Sequence, residues 1–193
     1  FWAPCSASAV RGGVAVETSM GLTPLQGLVM GTRSGDVDPG LHTFLHNELG
    51  MTIAEIDTLL NKQSGLKGMA GVNDFRELEE RRGAGDEAAQ LAFEVYVHRL
   101  KHYLGAYSIL LGRLDLVSFT AGVGENNPAL RAAVVDGLEG LGFLVDPELN
   151  ALRSNQARVI SPIGAPITIA VVPTNEELAI ARQTVALLET HTD

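Results

Sequence analysis

The sequence predicts an α/β chain, and three observations carry that prediction. Its last third alternates short β-branched runs with helical segments, starting at Leu116–Phe119. Its middle holds apolar residues at helical spacing from Asp86 to Leu111. Hydrophobic residues make up 46% of the 193 and charged ones 19%, enough to bury the core of one domain. The same composition excludes several classes. Fourteen basic residues against 23 acidic leave a net charge of −9, which argues against a nucleic-acid partner. No apolar run approaches the ~20 residues of a membrane-spanning helix. Cys5, the single cysteine, excludes an internal disulfide or a multi-cysteine zinc site and fits a reducing cytoplasm. The start, Phe1-Trp2-Ala3-Pro4-Cys5, has neither Met nor leader character and reads as a chain whose upstream part is missing or altered.

Taken in order, Val14–Thr18 alternates and is β-branched, so it reads as a strand preceded by Gly12-Gly13. Ser19 to Gly40 is rich in Gly, Ser and Thr and broken by Pro24 and Pro39, which excludes one regular element. Loops this long inside a compact chain are often functional. Helical periodicity resumes over Leu41–Leu49. Thr52-Ile53-Ala54-Glu55 then matches a capping box, whose hydroxyl and carboxylate satisfy exposed amides; the helix it opens runs to Lys62. Ser64–Asp74 reads as a second loop and leads to a short charged helix through Arg82. Leu91, Val95, Tyr96, Leu100, Tyr103 and Leu104 mark the stripe of the long amphipathic helix. After the strand at Leu116–Phe119 comes a tight glycine loop. A helix follows from Pro128, with Asn127 as cap, to Leu141. Ala157–Ile160 and Ile167–Val172 read as short strands. Thr174-Asn175-Glu176-Glu177 matches another capping box, opening a helix to Glu189.

Three segments suit chemistry, each with a plainer alternative. Gly122-Val123-Gly124-Glu125-Asn126-Asn127 stands between strand and helix, where glycines let a ligand approach the backbone and a helix start offers amides to phosphate. It is otherwise an ordinary turn, since Asn127 stands where a dinucleotide fingerprint wants glycine. In Gly31–Pro39, the Arg33 guanidinium suits phosphate oxygens, with Asp36 and Asp38 beside it; otherwise this is a solvated loop with local turns. Thr174–Glu177 caps a helix, or places a carboxylate for Mg²⁺. His42/His46 and His98/His102 lie four apart without the H-E-x-x-H pattern and read as ordinary helical histidines. Cys5 lacks a histidine–acid arrangement that would activate a thiol.

Together the segments are more specific than any one. Val16-Glu17-Thr18-Ser19-Met20-Gly21-Leu22-Thr23-Pro24-Leu25 through Gly31–Pro39 resembles a signature of the acetate kinase (acetokinase) family. Ser64-Gly65-Leu66-Lys67-Gly68 to Asp74-Phe75-Arg76, Phe119–Asn126 and Pro173–Ala181 resemble further motifs of that family in the same order. The resemblance runs from about Cys5 to Thr184 and corresponds to the family's C-terminal half. It implies the C-terminal domain of a sugar-kinase/Hsp70/actin (ribonuclease H-like) α/β fold, incomplete at its N-terminal edge. Residues 1–174 would be a partial nucleotide-binding domain, and 175–193 a terminal helix that packs on the missing N-terminal domain. It also implies reversible phosphoryl transfer from ATP to acetate, giving acetyl phosphate and ADP in a cytoplasmic homodimer. Asp74, Phe75, Arg76, Gly122, Val123, Gly124, Glu125 and Asn126 would line the nucleotide pocket. Arg33 would stabilise the transition state, and Glu176 would help hold Mg²⁺, for which Mn²⁺ substitutes. Glu177 is the lesser candidate for the metal.

One departure stands out. Phe1-Trp2-Ala3-Pro4 occupies the place of a histidine and a Gly-Asn-Gly phosphate loop. Propionate or butyrate kinase is the sibling reading, because the acyl pocket lies upstream. A non-catalytic fragment with weak nucleotide binding or a dimer role is an alternative of another class. A dinucleotide-dependent oxidoreductase ranks last, having no acid on a second strand.

Overall fold

The computed structural model describes residues 5–190, apart from the side chains of Glu176, Glu189 and Thr190. The replacement expected at Phe1–Pro4 lies outside the described residues. The chain divides into two compact units, Phe1–Leu114 with Ala133–Asp136, and Asp115–Ala132 with Gly137–Asp193.

The first unit opens with a hairpin of β1 (Ser8–Arg11) and β2 (Val14–Thr18). Gly12 and Gly13 join them with φ of 58° and 81°, and a two-residue hairpin turn of this kind needs positive φ at both positions. β1 is too short and polar to be read from the sequence. Five helices follow: α1 (Gly40–Leu49), α2 (Ile53–Lys62), α3 (Gly65–Ala70), α4 (Phe75–Gly83) and α5 (Glu87–Leu111). The capping box at Thr52 forms as predicted, with its amide donating to Glu55 at 2.8 Å and its hydroxyl accepting from the Glu55 amide at 3.3 Å. Leu45, Ile56 and Leu60 pack with Leu25, Leu41, Met51 and Leu59 into one core. α5 buries Ala89, Ala92, Phe93, Tyr96 and Val97, and packs on α3 and α4. Leu91, expected on that stripe, is 57% exposed instead. Small alanines on the neighbouring face allow the close approach that a leucine face would block.

In the second unit β3 (Leu116–Thr120), β4 (Arg158–Val159) and β5 (Thr168–Val172) form a sheet of order β3-β5-β4. β3 runs parallel to β5 and β4 antiparallel to it. β5 is central, and its consecutive Ile169, Ala170 and Val171 are all buried, the signature of a strand covered on both faces. Between β3 and β4 lie α6 (Ala121–Asn126), α7 (Pro128–Val135) and α8 (Pro147–Ala151). α9 (Glu176–Thr190) follows β5. The helix predicted from Pro128 to Leu141 stops at Val135, because Gly137 takes a φ of 75°; a short 3-10 turn, Glu139–Leu141, follows. α8 was not predicted. Asp146 caps it by accepting from the amides of Glu148 and Leu149, with Pro147 in the first helical turn.

Candidate functional site

Arg33 sits on a loop clamped between two helix ends. A helix leaves its last carbonyls and first amides without partners, and both kinds are satisfied here by residues 30–34. At the end of α2, the Leu60 carbonyl accepts from the Ser34 amide at 2.9 Å and the Asn61 carbonyl from the Thr32 hydroxyl at 3.0 Å. At the start of α3, the amides of Leu66 and Lys67 donate to the carbonyls of Met30 and Gly31 at 3.0 and 2.9 Å. The fit admits no side chain at Gly65, whose φ is 63° and whose Cβ would collide with the Met30 and Arg33 carbonyls. These bonds also explain why Ser64–Asp74, read as a loop, contains α3: loop carbonyls take the place of a cap. The half-buried Arg33 side chain has neither ion pair nor hydrogen bond among the described residues.

The two aspartates of that loop do not join it as ligands. Asp38 accepts from the Gly40 amide at 2.7 Å, at the start of α1. Asp36 accepts from the Gly27 amide at 3.0 Å and from the Tyr103 hydroxyl at 2.6 Å. Asp38 serves the start of α1, and Asp36 ties the base of the loop to α5.

Asp74, Phe75 and Arg76 open α4 in the same unit. The loop of Arg33 and this helix start are neighbours, since a methyl group on Gly31 would lie 2.8 Å from the Asn73 carbonyl. Asp74 caps the helix through the Arg76 amide at 2.7 Å and grips the Arg76 guanidinium at 2.8 and 3.2 Å. Hydrogen bonds from Arg76 hold its carboxyl down at about 2. Phe75 meets Tyr96 edge-on at 4.7 Å and Phe93 at 6.3 Å, and the Arg82 guanidinium lies 3.4 Å from the Phe93 centroid. The Tyr96 hydroxyl meets Cys5 Sγ at 2.9 Å, and burial pushes that thiol's pKa up.

Gly122 to Asn126 belong to the second unit. Read as a tight loop, they form the helix α6 instead, entered through Ala121 at a φ of 55°. A non-glycine residue in the left-handed region carries strain of roughly 1–2 kcal/mol. Gly122 faces open space, and its carbonyl accepts from the Asn126 side chain at 2.8 Å. The far end of α6 is held by Arg131, which the sequence reading missed. This fully buried guanidinium donates to the carbonyls of Gly124 and Glu125 at 2.8 and 2.9 Å, and to the side chain and carbonyl of Asn150 at 2.7 Å each. Burial, followed by the Arg158 cation, lowers its pKa to about 10, so it stays charged at neutral pH. Its place between the buried Leu130 and Val134 was the one available signal.

Glu125 spends its carboxylate on the turn after β5, accepting from the Thr174 amide at 2.9 Å. This overturns the capping box read at Thr174. Asn175 caps α9 instead, its side chain accepting from the Leu178 amide at 2.9 Å. Glu176 is the first residue of α9, and its side chain lies outside the described residues.

The parallel β3–β5 pair with α6 following β3, and the solved structures on which the chain superposes, place it as part of a sugar-kinase-like α/β domain. The acetokinase family model matches residues 3–182, and the chain belongs to that family. It is 62% identical to an acetate kinase of Streptomyces coelicolor over 95% of this chain and 45% of that protein. To one of Nitratidesulfovibrio vulgaris it is 55% identical, over 96% and 46%. Among solved structures, Porphyromonas gingivalis acetate kinase superposes with a TM-score of 0.91 at 43% identity, covering 95% of this chain and 46% of that one. A propionate kinase from Francisella tularensis gives 0.86 at 44% identity, covering 92% and 45%. The chain therefore spans a little under half the length of the relatives it matches.

Proposed function

We propose that this chain is the C-terminal half of an acetate kinase, which transfers the γ-phosphoryl group of ATP reversibly to acetate. The observation that carries the reading is the Arg33 guanidinium, held on a clamped loop and paired with no anion among the described residues. In phosphoryl transfer the protein contributes chiefly position and charge. An acetate oxygen attacks phosphorus in line as the bond to the ADP oxygen breaks, and Arg33 offsets charge on the transferring group. Asp74, Phe75 and Arg76 contribute nucleotide contacts from the first unit, and the backbone of Gly122, Val123, Gly124, Glu125 and Asn126 contributes them from the second; the open face of Gly122 supports close approach.

Mg²⁺, with Mn²⁺ as a substitute, supplies charge neutralisation on the phosphates when bound. No group of three His, Cys, Asp or Glu among the described residues could cage such an ion. An ion held mainly by phosphates and water needs only one protein carboxylate, and Glu176 at the head of α9 is our candidate. Residues 1–174 act as the nucleotide-binding part, while 175–193 pack on the remainder of a full-length protein. Exposed Leu178, Ile180, Val185, Leu187 and Leu188 support that role for α9. Partners are ATP and ADP, acetate and acetyl phosphate, and a second copy in a cytoplasmic homodimer; neither nucleic acid nor membrane is among them. No helix among the described residues is long and apolar enough to cross a membrane. Comparing kcat/KM for acetate, propionate and butyrate with the full-length protein tests the reading. Acetate is expected to lead, and a clear preference for a longer acid would move the protein to its propionate- or butyrate-kinase siblings.

A further inference from the structure

We propose that Asp36 and Tyr103 are positioning residues for Arg33, forming a clasp that fixes the loop on which the guanidinium is presented. The inference rests on the reading of Arg33 above and extends it to residues that touch no substrate. Asp36 closes the ten-residue segment from Gly27 by a reciprocal pair: its amide donates to the Gly27 carbonyl at 3.0 Å, and its carboxylate accepts from the Gly27 amide at 3.0 Å. Gly35, at a φ of 72°, lies so close to the Leu28 carbonyl that a Cβ would stand 2.7 Å from it. The base of the loop is thus closed backbone to backbone, and the other Asp36 oxygen faces α5.

There Tyr103 donates its hydroxyl at 2.6 Å, and the Arg99 guanidinium lies 3.7 Å away. A hydrogen bond to an ionised acceptor is among the stronger kinds, and this one joins residues 67 positions apart. Tyr103 is packed edge-on between His102 and Tyr107, which limits where its hydroxyl can point. The loop is therefore fixed twice. The ends of α2 and α3 hold residues 30–34, and α5 holds Asp36. Since a misplaced catalytic group loses rate steeply with distance, loosening the second anchor should weaken Arg33 without removing it.

The test uses the full-length protein with Tyr103→Phe, which keeps the ring and removes one hydroxyl, and with Asp36→Ala. Tyr103→Phe is expected to lower kcat on the order of tenfold, with the KM for ATP nearly unchanged and the melting temperature only modestly lowered by the loss of one hydrogen bond. In an Arg33→Ala background the same change should lower kcat no further. Amide exchange at Gly27 and Asp36 should quicken in both variants, a readout independent of turnover. Unchanged exchange, or a kcat loss that persists undiminished in the Arg33→Ala background, overturns the clasp. Near-normal kcat in Arg33→Ala overturns the role of Arg33 itself, and the two failures are distinct.

Discussion

The Arg33 guanidinium is presented on a rigid loop without a carboxylate partner among the described residues. Arginines on loops commonly find a carboxylate; this one finds none among the described residues, while the backbone around it is held by two helix ends. Arg33→Ala in the full-length protein should lower kcat on the order of 10³-fold, as loss of a phosphoryl-clamping arginine does. The melting temperature should hold, because among the described residues the side chain makes no hydrogen bond or ion pair. The residues after β5 divide their work differently from the local pattern. Asn175→Ala should cost about 1 kcal/mol of stability, the usual scale of a lost cap. Glu176→Ala should raise the Mg²⁺ required for half-maximal rate, and Glu177→Ala should do neither. Titrating Mg²⁺ and melting each variant separates the three. A metal defect in Glu177→Ala alone would reassign the ligand.

Elements were legible in the sequence where their causes are local. The Thr52 capping box is complete within four residues and forms as read. The matching pattern at Thr174 does not form, because Glu125, 49 positions away, takes the Thr174 amide first. α3 was hidden for the same reason, its first turn being completed by carbonyls of residues 30 and 31 rather than by a cap of its own. Arg33 could be singled out from its glycine-rich setting, whereas its clamp depends on pairings some thirty residues apart. The start of α4 offers a test at this scale. Asp74 has its pKa lowered from 3.8 to about 2 by Arg76, so its charged form favours the folded state. That contribution is complete above the unfolded value near 4 and is lost as pH falls through about 2. The Arg76 amide should therefore lose exchange protection between roughly pH 4 and 2, and Asp74→Asn should remove that dependence. With the carboxylate side chain 44% exposed, the effect on global stability is small.

At the scale of the molecule, the alternation of strand and helix in the last third predicted the α/β class, while the division into two units had no mark in composition or linker. Its boundary falls within α7, between Ala132 and Ala133, where periodicity is unbroken. Arg33 and Asp74 belong to one unit, Gly122–Asn126 and Glu176 to the other, and the relatives carry as much chain again beyond both. The most direct measurement is acyl phosphate formation from ATP and acetate, made in parallel on the 193-residue chain and on the full-length protein. Turnover is expected from the full-length protein and none from the 193 residues alone. Absence of acyl phosphate with the full-length protein, or comparable rates from the two, would contradict that expectation.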